Sequence, residues 1–291
     1  MGSLSLPQNL LTSLEPGDAR RPWLDGLPEM VADLARRWSL LVDAPFQPGG
    51  ETAWVAPCTG DGGDHLVLKV AWRHPEAEHE AAGLRTWNGN AAVRLLQSAE
   101  LDQTLVLLLE RCLPGTTLSG RPEPEQDEVV ASLLLRLWIE PGPGHPFRPL
   151  EEMCDSWVDE FEESQSRFLG RLDEGLVREG CRLFRLLPRT AGRRVLLCTD
   201  LHAANILAAE REPWLMIDPK PYVGDPTYDA LQHLFNCRGR LLADPEQLVT
   251  RMAGLLGLES ARLRRWLFAR CVLGAGDAPE LAAVASRIAP A

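Results

Sequence analysis

Residues 197–218 read Leu197-Cys198-Thr199-Asp200-Leu201-His202-Ala203-Ala204-Asn205-Ile206-Leu207, then a turn through Glu210-Arg211-Glu212-Pro213, then Trp214-Leu215-Met216-Ile217-Asp218. Two apolar runs flanking a polar turn are the pattern of a short β-hairpin. Centred near Arg211 and Glu212, the hairpin would set Asn205 opposite Asp218, where antiparallel partners have Cα atoms about 4.5–5.5 Å apart. An amide oxygen and a carboxylate would then meet at its open end, beside the loop that carries Asp200. Hard oxygen ligands of this kind suit Mg²⁺, which keeps several waters and takes its other ligands from phosphates. The spacing Asp-x-x-x-x-Asn, with a carboxylate beyond a hairpin, is what kinase-type phosphoryl transfer needs. Asp200 would orient an acceptor hydroxyl and take its proton late, while Asn205 and Asp218 would hold the metal. Taken singly, each of these residues is more simply read as a turn aspartate or a capping asparagine. The joint pattern carries the reading.

Phosphoryl transfer also needs a cation on the nucleotide phosphates, usually a strand lysine held by a helix glutamate. Only two lysines occur in the chain, Lys69 and Lys220; every other basic residue is arginine. A lysine in such a chain is explained by a site that wants a compact ammonium, or by chance. Lys69 lies in the strand-like Leu66-Val67-Leu68-Lys69-Val70-Ala71. In the helix expected over 75–87, at about 100° per residue, Glu80 falls inside the apolar arc of Ala77, Ala81, Leu84 and Trp87, whereas Glu78 points away. A carboxylate on a buried face needs a partner, and Lys69 is the natural one. The alternative is a surface lysine and a rim glutamate.

Outward from these two motifs, the chain divides by pattern. Residues 27–41 carry apolar residues at helical spacing, forming a leading helix after a polar start. A β-hairpin is expected around Val55 and 66–72, turning at Gly60-Asp61-Gly62-Gly63-Asp64, with further strands near 93–96 and 105–109. Beyond Pro114-Gly115, helical patterns dominate at 125–139, 150–169, 174–187, 226–236, 245–256 and 260–273. The expected organisation is a β-rich N-terminal lobe over 1–112 and a larger helical lobe over 113–291. In a 291-residue chain that is 45% hydrophobic and 24% charged, two globular lobes are the ordinary outcome.

Composition excludes several classes. Thirty basic and 41 acidic residues leave a formal charge of −11, which disfavours a nucleic-acid partner and favours a cationic small molecule. No apolar run reaches the roughly 18 residues that span a membrane, and Met1 to Leu6 lack the basic region and apolar core of a signal peptide. Seven scattered cysteines without CxxC spacing fit reduced thiols in a cytoplasmic protein rather than a zinc site or disulfide framework. A monomer or weak dimer is expected.

Together these residues resemble the aminoglycoside phosphotransferase superfamily, whose fold is similar to that of protein kinases. The run from Thr199 to Pro219 looks like its streptomycin and hydroxyurea phosphotransferase branch, and Gly224-Asp225-Pro226-Thr227-Tyr228-Asp229 is similar to the segment that follows the metal-binding aspartate there. The resemblance implies a bilobal α+β fold, with ATP and Mg²⁺ bound in a cleft between lobes. It implies Asp200 as catalytic base, Asn205 and Asp218 as Mg²⁺ ligands, and Lys69 paired with Glu80 on the phosphates. Leu107-Leu108-Leu109-Glu110-Arg111-Cys112-Leu113-Pro114-Gly115 looks like the hinge, with backbone at Glu110 and Cys112 binding adenine. Asp229 is implied as a structural anchor, and Asp225 before Pro226 reads as a helix N-cap.

The chain departs from the superfamily at Cys198, where a histidine is usual, and in lacking a GxGxxG loop. Gly49-Gly50 stands in its place, with Gly50 near the nucleotide or simply in a turn. His202 is close enough in sequence to Asp200 to touch substrate, or it is satisfied by backbone. Lys220 either contacts phosphate or is a solvated loop lysine. For the acceptor, Asp155, Asp159 and Glu162 share one helix face, a subsite for a cationic antibiotic or a solvated acidic face. The expected activity is transfer of the ATP γ-phosphoryl group to a hydroxyl of a streptomycin-type aminoglycoside. The rivals are a kinase of hydroxyurea or of a metabolic sugar or amino alcohol, a metal-dependent hydrolase, and a nucleotide-binding pseudoenzyme.

Overall fold

Apolar residues alternating through Ala53–Thr59 and His65–Trp72 give each strand two faces, and the chain uses both. In the computed structural model, which describes residues 4–164 and 172–290, the chain divides into two compact units, residues 1–115 and 116–291. The division falls just past Cys112, at the turn Leu113-Pro114-Gly115.

The first unit runs α1 (Gln8–Thr12), α2 (Arg21–Arg37), β1 (Leu41–Val42), β2 (Ala53–Thr59), β3 (His65–Trp72), α3 (Glu80–Trp87), β4 (Leu95–Leu101) and β5 (Thr104–Glu110). Its five strands form one antiparallel sheet in the order β1-β2-β3-β5-β4. On one face Trp54, Ala56, Cys58, Leu66, Leu68, Val70, Val106 and Leu108 pack with Leu24, Leu27, Val31 and Leu34 of α2. On the other face Ala53, Ala71, Ala77 and Leu105 make a smaller cluster. Lys69, in register with Val55 and Leu107, belongs to the face opposite Leu68 and Val70.

Several spans differ from the expected ones: the helix expected over 125–139 lies at Glu123–Leu137, and the strand expected near 93–96 runs over Leu95–Leu101. The leading helix begins at Arg21 rather than Leu27, because Pro22 occupies its first turn and Asp18 accepts the Arg20 amide just before it. It ends at Arg37, since Ser39 turns left-handed and sends Leu41 into β1. The helix expected from Pro75 begins at Glu80; the preceding residues close two successive four-residue turns, Ala77 to His74 and Glu80 to Ala77.

The second unit holds α4 (Glu123–Leu137), α5 (Leu150–Glu163), α6 (Glu174–Leu186), β6 (Val195–Leu197), β7 (Ile206–Ala208), β8 (Trp214–Met216), β9 (Tyr222–Gly224), α7 (Pro226–Asn236), α8 (Arg238–Ala243), α9 (Pro245–Leu256), α10 (Ser260–Gly274) and α11 (Glu280–Arg287). The expected helix end at Leu169 and the reading of residues 1–3 lie outside the described residues. β6 pairs with β9 and β7 with β8, both antiparallel. Phe184, Tyr228 and Trp266 meet edge to face at 5.1–6.3 Å at the centre of the helical core.

Asp225 ties this core to the strands. It caps α7 by accepting the Thr227 amide and receives Trp266 Nε1 and Arg262 Nε from α10, each at 2.7 Å. Gly224 is a glycine for a steric reason: a Cβ there would stand 2.4 Å from Leu150 Cβ where β9 passes α5. A second buried junction centres on Asp127 of α4, which bonds His233 of α7, Arg240 of α8 and Arg251 of α9 at 2.7 Å each.

Candidate functional site

β6 delivers the chain into a loop whose shape is set by Asp229 of α7. Its carboxylate is fully buried and accepts the Thr199 amide (2.7 Å), the Cys198 amide (3.1 Å), Trp138 Nε1 (3.0 Å) and the Cys198 thiol (3.5 Å). Burial pushes the acid up to about 6 against the pull of these hydrogen bonds. Cys198, which stands where a histidine was expected, thus contributes both its amide and its thiol to holding the loop. Thr199 takes a left-handed φ of 49°, and the Asp200 amide closes back onto the Cys198 carbonyl at 2.7 Å.

The segment after β8 is stitched alongside. The Lys220 amide donates to the Cys198 carbonyl at 2.9 Å, and Thr199 Oγ1 donates to the Lys220 carbonyl at 2.6 Å. This double tie carries the Lys220 ammonium to 3.1 Å from Asp200 Oδ2. His202 Nε2 lies 4.0 Å from Asp200 Oδ1, too far for a hydrogen bond. His202 Nδ1 accepts the Ala204 amide, which leaves Nε2 as the protonated nitrogen of a neutral ring. Burial pulls its imidazolium down, opposed by the charges of Asp200 and Asp218.

Asn205 Nδ2 donates to the Asp200 carbonyl at 3.1 Å. With the amide nitrogen engaged, Oδ1 is the atom left to act as an oxygen ligand. The hairpin register differs from the expected one: Ile206 pairs with Met216, Leu207 with Leu215 and Ala208 with Trp214. The centre is Arg211 itself, because the turn between Ala208 and Trp214 holds an odd number of residues. Asn205 consequently faces Ile217, whose amide donates to the Asn205 carbonyl at 2.9 Å. Asp218 follows one step later with a left-handed φ of 53°. Two hard oxygen donors on one hairpin end fit a Mg²⁺ ion better than a softer metal.

In the first unit, Lys69 Nζ donates to both carboxylate oxygens of Glu80, at 2.8 and 2.7 Å, with the two residues only 8% and 4% exposed. Gly50 sits exposed in the turn between β1 and β2. Glu110 ends β5 with its amide on the Arg94 carbonyl at 3.0 Å, and Cys112 is buried just beyond.

The acidic face of α5 has partners of its own. Asp155 pairs with Arg189, which follows α6, and Asp159 and Glu162 pair with Arg185 of α6. Beside them a cavity of about 340 Å³ is lined by Glu162, Val177, Arg178, Cys181, Arg182 and Arg185. Three guanidinium groups around one opening suit a cationic guest poorly. Asp127, His233 and Cys237 also lie within metal-binding reach of one another. There the Arg240 and Arg251 guanidinium groups already occupy the Asp127 carboxylate, so the cluster is an ion-pair network.

Lys220, expected either to contact phosphate or to be a solvated loop lysine, instead pairs with Asp200. The Asp127 network left no signal in the sequence, since its members are spread from 127 to 251.

Comparison with known proteins gives the family and the fold. The family model described as aminoglycoside/hydroxyurea antibiotic resistance kinase matches residues 37–280. A hydroxyurea phosphotransferase of Kitasatospora aureofaciens is 36% identical over 88% of this chain and 74% of its own length. A streptomycin 6-kinase of Streptomyces griseus is 36% identical over 87% of this chain and 83% of its own. Among solved structures, a choline/ethanolamine kinase family protein from Mesorhizobium loti superposes with a TM-score of 0.58, at 18% identity, over 90% of this chain and 92% of its own. The α+β fold is that of the protein-kinase-like phosphotransferases.

Proposed function

This chain belongs to the aminoglycoside/hydroxyurea antibiotic resistance kinases, and on that premise we propose that it transfers the γ-phosphoryl group of ATP to a hydroxyl of a streptomycin-type aminoglycoside. The observation that carries the reading is the Asp200 loop. One mostly buried carboxylate beside an ammonium stands on a backbone fixed by a buried aspartate, with the Asn205 amide and the Asp218 carboxylate at the end of the adjoining hairpin. Such a set positions and stabilises charge, which is most of what phosphoryl transfer asks of a protein.

Asp200 would orient the acceptor hydroxyl and receive its proton as the bond to phosphorus forms. Asn205 and Asp218 would hold Mg²⁺, which supplies neutralising charge on the nucleotide phosphates when bound. Lys69, held by Glu80, would bear on the same phosphates, and backbone at Glu110 and Cys112 would take the adenine. The acceptor would be a small cationic molecule. Its subsite is not drawn from Asp155, Asp159 and Glu162, which are matched by arginines. Membership of a phosphotransferase family speaks against the hydrolase reading, and the presence of Asp200, Asn205 and Asp218 speaks against a pseudoenzyme.

Hydroxyurea is the second acceptor to consider, because a hydroxyurea phosphotransferase is as similar to this chain as a streptomycin kinase is. ADP release measured with streptomycin, other aminoglycosides, hydroxyurea, and simple sugars and amino alcohols separates these readings. Turnover with streptomycin at the highest kcat/KM is expected. Turnover confined to hydroxyurea or to a sugar would replace it.

A further inference from the structure

Most hydrogen bonds from the residues ahead of α2 to the sheet's loops fall on one short stretch, 47–51, in the connection from β1 to β2. The Asn9 amide donates to the Pro48 carbonyl at 3.0 Å and Asn9 Nδ2 to the Gly49 carbonyl at 2.9 Å. Ser13 Oγ at 3.0 Å and Arg20 Nη1 at 2.7 Å both donate to the Glu51 carbonyl. The Gln8 amide donates to Gln47 Oε1 at 3.1 Å. Arg20 is itself locked, with Nε and Nη2 on the Asp18 carboxylate and Nη2 also on the Ser13 carbonyl. Pro7 lies so close to Gly49 that a Cβ there would stand 2.4 Å from Pro7 Cβ, and Gly49 has a φ of +76°.

These ties have a direction. The carbonyls of Pro48, Gly49 and Glu51 are committed, whereas the amides of Gly49, Gly50 and Glu51 donate to no acceptor among the described residues. Around Gly50 a Cβ would meet nothing nearer than the Ala53 carbonyl at 3.8 Å, so this side of the turn is open. Consecutive backbone amides of a turn are natural anion binders. A turn with no strand pairing of its own is ordinarily mobile, and ordering it on binding weakens affinity.

We propose that Asn9, Ser13 and Arg20 are positioning residues for the nucleotide: they hold the Gly49-Gly50-Glu51 turn in the one conformation that receives its phosphates. This rests on the reading of the chain as an ATP-dependent kinase. Nucleotide affinity then depends on a segment that precedes the sheet, while the acceptor does not feel it.

The test compares Asn9→Ala, Arg20→Ala and Arg20→Lys with the unsubstituted protein, by equilibrium binding of MgATP and by steady-state kinetics. Asn9→Ala and Arg20→Ala should each raise the Kd and KM for ATP about tenfold. The KM for the acceptor and kcat at saturating ATP should stay within about twofold, and Arg20→Lys should recover part of the loss. Asn9→Ala removes one side-chain amide from the short helix α1 and leaves the Asn9 backbone bond to Pro48 in place, so it carries the test should Arg20→Ala fail to fold. Unchanged ATP affinity in folded Asn9→Ala would overturn the proposal. So would a parallel loss in kcat and both KM values. Failure of the unsubstituted protein to bind ATP would instead overturn the kinase reading on which it rests.

Discussion

Lys220 Nζ lies 3.1 Å from Asp200 Oδ2, brought there by the Lys220 amide on the Cys198 carbonyl and the Thr199 hydroxyl on the Lys220 carbonyl. The ammonium fixes the carboxylate's direction and lays a positive charge beside the point where phosphoryl charge would build up. Hydrogen bonds to charged groups contribute about 1.5–3 kcal/mol. Lys220→Met should therefore lower kcat by about 10- to 100-fold with little change in the KM for ATP. Lys220→Arg should recover part of it. An unchanged kcat for Lys220→Met would remove Lys220 from the site.

The Lys69–Glu80 pair is buried on both sides, so breaking it from one side strands a charge. Removing one partner of such a pair costs about 3–5 kcal/mol. Glu80→Ala should lower the unfolding free energy by that amount, read from denaturant titration, and raise the KM for ATP. The double substitution Lys69→Met/Glu80→Leu should regain most of the stability while remaining inactive. Regained activity in the double variant would show that the pair is architectural only.

Asp229 predicts a coupled loss. Asp229→Asn turns an acceptor of four donors into a group that offers an N–H to one of them. Stability should fall by about 2–4 kcal/mol, and kcat should fall further than the unfolded fraction explains. A stable variant with normal kcat would mean that the loop keeps its shape without the anchor.

The junction at Asp127 makes stability depend on pH. Burial alone would pull the His233 imidazolium down, but its hydrogen bonds to Asp127 and Cys237 push it up to about 9, above the ordinary 6.5 of an unfolded chain. Its contribution is therefore fully present below about pH 6.5 and is lost as pH rises through about 9, a change on the order of 3 kcal/mol. Asp127 itself is held well below the usual carboxylate range by the hydrogen bonds of Arg240, His233 and Arg251, which outweigh its burial. Urea midpoints at pH 6.5 and 9.5 should fall for the unsubstituted protein and fall less for His233→Gln. Equal declines in both would assign the dependence to other groups.

How much of this was legible in the sequence depended on the range of each interaction. The Lys69–Glu80 pairing could be read from two local periodicities, strand and helix, that both turned a charge inward. The Asp200 loop could be read from fixed spacing along a hairpin. The register slipped because spacing does not reveal whether a turn closes on a residue or between two. For the α5 carboxylates, helical spacing showed that they share a face, but not that Arg185 and Arg189 stand opposite. Gly49-Gly50 could be read only as a stand-in for a nucleotide loop or as a plain turn, and the close approach of Pro7 to Gly49, from more than forty residues earlier in the chain, was not legible. Long-range partners of this sort leave no periodic mark.

The central claim is that Asp200 is the base of a phosphotransfer site, and Asp200→Asn tests it most directly, with MgATP binding and streptomycin phosphorylation measured on the same preparation. General-base catalysis of this kind contributes about 10²–10⁴-fold, so transfer should fall by at least 10²-fold while MgATP binds within about twofold of the unsubstituted protein. Transfer retained at close to the original rate would contradict the assignment.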